Sequence, residues 1–311
     1  DAMVEAAAFP LARGALEPAL WDLYGKIVGK PLWKLVNEEA SRGGAGGLSP
    51  RTLASVRSGV TVGAGAVVGL GTPRETVEAV KRCVEGGYRR VKLKVAPGGS
   101  AARVRAVRQA FPQLMVTLDA NQSFGERDMD ELRALDACGA AWIEEPLDVS
   151  SVRHRGHGDD AFARLATLQR SLDTPLCLDE SFTCPEEAYR ALEHPELRCF
   201  AVKIGKFGGV KGALDFVQAA RARGAQIWMG GMYESGISKR LHAAFQTLPG
   251  IDVPGDVGAT SRYFATDITD PPYSVERGSV TLNREGHENG LGCGLCLPAL
   301  SSVLVKRIVV E

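Results

Sequence analysis

The sequence has no surplus of charge: its 311 residues carry 37 basic and 37 acidic side chains. Without a basic excess to neutralise a phosphate backbone, nucleic acid is not an expected partner. No uninterrupted apolar run approaches the ~18–20 residues of a membrane span, so membrane is not an expected partner either. The start, DAMVEAAAFPLARG, has no basic stretch ahead of an apolar core and no initiator Met. It does not read as a secretory signal, and the cytoplasm is the expected compartment. Cysteine is sparse, scattered and odd in number at seven, which fits reduced thiols rather than a disulfide framework. Cys293 and Cys296 form one CxxC without a second pair or spaced histidines, too little for a zinc site. No Gly-x-Gly-x-x-Gly follows the first strand-like run, which argues against a dinucleotide-binding sheet.

What is present is a repeated plan. Apolar runs occur at GVTVGAG (59–65), RRVKLKV (89–95), LMVTLDA (114–120), AAWIEEP (140–146), PLCLDES (175–181), CFAVKIG (199–205) and QIWMGGM (226–232). Most are followed by an amphipathic stretch such as PRETVEAVKRCVEGG (73–87). Strands alternating with helices imply parallel βαβ units, and so many in a row predict an α/β fold of the TIM-barrel type. Before the barrel, Leu16, Leu20, Leu23, Tyr24 and Ile27 lie at helical spacing. Pro18 predicts that this helix either starts there or kinks. SRGGAGGLSP (41–50) and SSVRHRGHGDD (150–160) read as loops. The β-branched tail predicts a strand over 303–310 outside the barrel. The expected division is residues 1–50 as a capping remnant and linker, 51–285 as the barrel, and 286–311 as a C-terminal segment packing with the cap.

Lys94, Asp119, Glu144, Asp179 and Lys203 follow one another at intervals of 25, 25, 35 and 24 residues, each at the end of an apolar run. One βα unit takes about that length, so the same strand-end position is filled in five successive units. Strand ends of a barrel converge on one mouth. Any one of the acids alone reads better as a solvated loop residue or helix N-cap. Together, Asp119, Glu144 and Asp179 form an oxygen-only set suited to Mg²⁺, with oxygens expected within about 5 Å of one another. Lys92 and Lys94 share one strand face. Two like charges there are expected to lower each other's pKa and make one lysine a base near neutral pH. Such a site suits removal of a proton alpha to a carboxylate with Mg²⁺ stabilising the enediolate. A small carboxylate is therefore the expected substrate, with the protein a monomer or homo-oligomer. Gly231 and Met232, at the end of the seventh run, are candidate substrate contacts, as are Lys92 and Asn121. Glu234 and Ser235 read as a helix-terminal acid and cap.

These motifs resemble the enolase superfamily, in its muconate-lactonizing-type subgroup and nearest to o-succinylbenzoate synthase and N-succinylamino acid racemase. The resemblance rests on GYRRVKLKV (87–95), LDANQSF (118–124), WIEEPL (142–147), PLCLDES (175–181), VKIGKFGGV (202–210) and GGMYESGIS (230–238). ALEPALWDLYGKIVGKPLWKL (15–35) is similar to the helix before the barrel in that family. The resemblance implies a (β/α)₇β barrel with a capping domain, here expected to be truncated. It implies Asp119, Glu144 and Asp179 as Mg²⁺ ligands and Lys94 and Lys203 as acid–base groups on opposite faces of the substrate. Glu145 matches a position that is often Gln in the family. Dipeptide epimerases of the family carry Asp-x-Asp near the last strand; here Asp256 is followed by Gly258, which argues against a dipeptide. The implied activities are dehydration to o-succinylbenzoate, for menaquinone synthesis, or racemisation of an N-succinylamino acid. A scaffold without activity is the remaining reading.

Overall fold

The structure is a computed structural model that describes residues 9–42, 59–149 and 161–303. Seven parallel strands run in the order of the sequence: β2 (Ala66–Val68), β3 (Arg90–Lys94), β4 (Met115–Asp119), β5 (Ile143–Glu144), β6 (Leu176–Leu178), β7 (Cys199–Val202) and β8 (Gln226–Met229). The stretch after β8 joins its two edges. Asp256 N–H donates to Met229 O at 2.9 Å, and Gly65 N–H donates to Gly255 O at 2.7 Å. The last stave of the barrel is thus an irregular extended segment, and the (β/α)₇β expectation holds.

The crossover helices form because sequence and geometry agree locally. In α3 (Pro73–Glu85), the Thr72 hydroxyl accepts from Glu75 N–H while the Glu75 carboxylate accepts from Thr72 N–H, and Pro73 fills the first turn. This capping box satisfies N–H groups that a helix start leaves without partners. Apolar residues of both sheet and helices fill the shell between them, including Val91, Leu93, Val104, Val107 and Leu118. The barrel interior is different: Arg90, Trp142 and Trp228 fill its floor and are fully buried.

Several expectations need correction. The run at 59–65 is not a barrel strand: β1 (Val60–Gly63) pairs antiparallel with β10 (Ser279–Leu282). Ser41 and Arg42 end the helix α2 (Leu32–Arg42) rather than opening a loop. Residues 301–303 belong to the helix α10 (Leu297–Val303); the rest of the expected tail strand, most of the 41–50 loop and the 150–160 loop lie outside the described residues. The first helix, α1 (Pro10–Val28), begins eight residues before Pro18 and runs through it, ending at Gly29 in the left-handed region (φ 67°). Its predicted apolar stripe does not pack. Leu16, Leu20, Leu23, Tyr24 and Ile27 are all exposed, whereas Pro18 and Gly25 are buried.

That inversion has a purpose in the fold. Gly14 lies against the turn Ile204–Phe207 that follows β7, where an added Cβ would come within 2.9 Å of Gly205 Cα. Arg13 Nε donates to Gly208 O at 3.0 Å, and Glu17 Oε1 accepts from Lys211 N–H at 3.1 Å, at the start of α8 (Val210–Ala222). Helix α1 therefore braces the backbone immediately after Lys203. Residues 290–293 reach the same region: Leu291 N–H donates to Asp22 Oδ1 at 2.7 Å and Lys26 Nζ to Cys293 O at 3.2 Å.

Candidate active site

A cavity of about 520 Å³ opens at the carboxyl ends of the strands. Lys92, Lys94, Asp119, Asn121, Asp179, Lys203, Gly231 and Met232 all line it, so all of these expected site residues meet there. Glu144 lies just beneath, fully buried, with Lys92 Nζ 3.3 Å from its Oε1.

Strand alternation builds the charged column. On β3, Arg90, Lys92 and Lys94 point inward because their positions differ by two. Arg90 sits deepest, its guanidinium 4.8 Å from the Trp228 ring centroid and 5.9 Å from that of Trp142. It bonds Thr117 and ion-pairs with Asp256. Asp256 also holds Lys92 Nζ at 2.6 Å, and Lys92 lies 3.1 Å from Asp119. Lys94, at the rim, pairs with Asp119 at 2.7 Å and donates to Asn121 Oδ1 at 2.5 Å. Asn121 Nδ2 in turn donates to Glu180 at 2.8 Å. Across the mouth, Asp179 receives Lys203 at 2.6 Å and Lys206 at 3.0 Å.

Cation and anion thus alternate from floor to rim, and the titration of each group follows from its neighbours. Burial alone would lower Lys92, but Asp256, Glu144 and Asp119 outweigh it and hold the ammonium well above its ordinary value. Burial likewise opposes Lys203, and Asp179 more than compensates, raising it. The expectation that the paired lysines of β3 lower each other is therefore wrong for Lys92: its carboxylate neighbours decide. Burial pushes Glu144 well above the carboxylate range, opposed by Lys92 and reinforced by Asp119, Asp179 and Asp256. Asp179 is lowered, since Lys203 and Lys206 overcome its burial. Asp256 lies far below the usual range, burial being overcome by Lys92 and Arg90.

Three site residues missed by sequence reasoning support this constellation. Asp256 was noted only for the motif it fails to complete, yet it closes the barrel and carries two cations. Lys206 is three residues past Lys203 in a 3₁₀ turn, which swings both ammonium groups onto one carboxylate. Glu145 is fully buried and clamps two strand ends together. Its Oε1 accepts from Asp179 N–H at 2.6 Å and Ser181 N–H at 2.8 Å; its Oε2 accepts from Ser181 Oγ at 2.7 Å and Gln122 Nε2 at 3.0 Å. Burial raises its pKa to about 7 despite those donors. Asn121, Gln122 and Glu145 all have positive φ, at 43°, 61° and 44°. Such backbone costs roughly 1–3 kcal/mol per residue and gathers where function over-determines the structure.

Gly231 has a packing reason of its own: a Cβ would meet Asp256 O at 2.4 Å. Met232 is half exposed at the cavity wall. Glu234 does more than flank a helix. It pairs with Lys239 at 2.9 Å and lies 3.2 Å from His242 Nδ1, both on α9 (Gly236–Phe245). Those partners overcome its burial and lower it to about 2. Ser235 occupies the N-cap without a side-chain bond; Asp267 Oδ1 accepts from Gly236 N–H instead, at 3.0 Å.

The donor chemistry fits a hard divalent cation, with three buried carboxylates from adjacent strands, one of them destabilised as an anion by burial and by its acidic neighbours. Among the described residues, no three acidic side chains aim their oxygens at one common cation position. In this arrangement each is turned onto an ammonium group.

Comparison with known proteins adds to this geometry. Residues 75–297 match the family described as enolase C-terminal domain-like. An N-succinylamino acid racemase of Thermus thermophilus is 36% identical over 297 residues, 94% of this chain and 71% of that protein. An o-succinylbenzoate synthase of Geobacillus stearothermophilus is 34% identical over 270 residues, 87% of this chain and 64% of that protein. The chain therefore spans roughly two thirds of the length of such relatives. A crystal structure of an enolase superfamily member from Enterococcus faecalis superposes with TM-score 0.77 at 32% identity, covering 94% of this chain and 70% of that one.

Proposed function

The chain belongs to the enolase superfamily, and from that premise we propose that it is an o-succinylbenzoate synthase, a lyase that dehydrates a cyclohexadiene carboxylate bearing a succinyl arm, in menaquinone synthesis. The observation that carries the reading is the placement of Lys94 at the end of β3 and Lys203 after β7, four strands apart around the mouth, with acidic side chains between them. A substrate carboxylate seated between the lysines has its alpha carbon open to one lysine on each side.

Asp119, Glu144 and Asp179 would hold Mg²⁺. When bound there, the ion supplies positive charge beside the substrate carboxylate and competes with the lysines for their carboxylate partners. The chain's own residues do the rest. Lys94, in its neutral amine form, takes the alpha proton on Nζ and becomes the ammonium, and the electron pair of that C–H bond passes into the enediolate. The C–O bond to the ring hydroxyl then breaks, and Lys94 returns its proton to the departing oxygen, releasing water and an aromatic ring. Lys203, on the far face, stabilises the negative charge and stays protonated throughout. Asn121 Oδ1 fixes the direction of the Lys94 ammonium.

A second reading, N-succinylamino acid racemase, shares the first proton transfer and has Lys203 deliver a proton to the opposite face. The Thermus thermophilus relative favours it. The test is the ultraviolet change on converting 2-succinyl-6-hydroxy-2,4-cyclohexadiene-1-carboxylate to o-succinylbenzoate. Turnover with Mg²⁺, lost in EDTA and in Lys94→Arg, is the expected result. Racemisation of an N-succinylamino acid without any dehydration would reverse the order of the two readings.

A further inference from the structure

The cavity is lined by five cationic side chains, and they are not equivalent. Lys92, Lys94, Lys203 and Lys239 each lie within 3.1 Å of a carboxylate oxygen. Arg262 also lines the cavity, yet among the described residues no salt bridge reaches it. It ends a 3₁₀ turn, Thr260–Arg262, just past the segment that closes the barrel. Its Nη2 donates to Val67 O at 3.3 Å. Val67 is in register with Lys92 on the neighbouring strand, which sets the guanidinium on the Lys94 side of the mouth. One bond to a carbonyl leaves most of the five N–H donors of an arginine free. Beside it stand two rings: the guanidinium is 5.9 Å from the Tyr263 ring centroid, and Tyr263 meets Tyr233 edge to face at 4.7 Å.

We propose that Arg262, backed by Tyr263 and Tyr233, is a specificity-determining residue that binds a second carboxylate, at the end of the substrate remote from the reacting carbon. This rests on the proposed function for the position of the first carboxylate and goes beyond it in assigning the second. Each of these lysines is set against one of the protein's acids around the reacting carbon, whereas Arg262 is, among the described residues that line the cavity, the cation without an acidic partner. A planar fork suits a carboxylate, which it can hold through two parallel bonds. The aromatic walls suit the apolar arm that joins the two acids. The group assigned to Arg262 is thus the terminal carboxylate of the succinyl arm that the proposed substrate carries.

The test is equilibrium binding, in Mg²⁺, of N-succinyl-phenylglycine and N-butyryl-phenylglycine, which differ by a terminal carboxylate against a methyl group. Wild type should bind the succinyl compound about tenfold or more tightly. In Arg262→Ala that preference should vanish, with butyryl binding unchanged within about threefold. Arg262→Gln keeps a donor for Val67 O and should lose the preference as fully, whereas Arg262→Lys should recover part of it. Equal weakening of both ligands in Arg262→Ala would mean that Arg262 only braces β2, and the proposal would be overturned. A wild type without succinyl preference would overturn it as well. If the preference exists and depends on Arg262 while wild type exchanges no alpha proton, the catalytic reading fails and the assignment of Arg262 stands.

Discussion

Asp256 and Glu145 hold in place the groups expected to meet the substrate and the metal. Asp256 carries Arg90 and Lys92 together, and removing its charge leaves two buried cations facing each other. Breaking a buried ion pair from one side costs on the order of 3–5 kcal/mol. Asp256→Asn is therefore expected to lower unfolding stability by an amount in that range, measured by urea denaturation, and more than the paired loss of charge in Arg90→Met/Asp256→Asn. Glu145 has the opposite sign. Its folded pKa, about 7, lies above its ordinary value of 4.5. Between those values the unfolded chain releases the proton first, so stability falls as pH rises through the window. The cost reaches about 3 kcal/mol at neutral pH. In Glu145→Gln that slope should disappear: the variant should match wild type near pH 4.5 and exceed it near pH 7, in denaturation curves taken in EDTA. A constant difference across the window would refute the assignment.

At this scale the sequence was legible where spacing alone decides. Lys94, Asp119, Glu144, Asp179 and Lys203 could be found by counting, because one βα unit sets the interval. Asp256 could not: it sits on an irregular stave with no periodicity, and its meaning depends on Arg90 and Lys92, more than 160 residues earlier. Lys206 was hidden by the 3₁₀ turn, since a strand continuing past Lys203 would have sent it elsewhere.

Among the elements, α1 has the least obvious function. Its apolar spacing announced a helix but misled about the packed face, because close contact is made by Gly14, Pro18 and Gly25 while the larger side chains stay outside. Small residues allow backbone-to-backbone approach, which a hydrophobic-period reading does not register. The brace on the turn after Lys203 makes a specific demand. Gly14→Val drives a side chain into Gly205, and overpacking of this kind costs roughly 1–3 kcal/mol. The expected outcome is a lower melting temperature together with a fall in turnover larger than in Leu16→Ala, whose side chain is exposed on the other face. Equal kinetics for the two variants would separate α1 from the position of Lys203. The first apolar run, 59–65, illustrates the same limit in β structure: its alternation was real, but pairing with β10 rather than β3 is settled by residues some 220 positions away.

For the whole molecule, the charged column explains why the barrel needs its ligand set balanced. Three carboxylates in the mouth share four ammonium groups from two elements, Lys92 and Lys94 on β3 and Lys203 and Lys206 after β7, and Glu144 is pushed toward protonation by burial and by its acidic neighbours. A divalent cation binding the folded state alone raises stability in proportion to the logarithm of its concentration. Millimolar Mg²⁺ is expected to raise the melting temperature of wild type by several degrees over EDTA and to leave Asp179→Asn nearly unmoved. An equal rise in both proteins would place the ion elsewhere.

The opposed lysines are tested most directly by proton exchange at the alpha carbon of each enantiomer of an N-succinylamino acid in deuterated water, followed by NMR with Mg²⁺ present. Wild type is expected to exchange both enantiomers. Lys94→Arg and Lys203→Arg should each lose exchange of one enantiomer, and of opposite ones, because arginine keeps its charge and cannot accept the proton. A Lys203→Arg protein that still exchanges the alpha proton of both enantiomers would contradict the assignment of the two lysines to opposite faces.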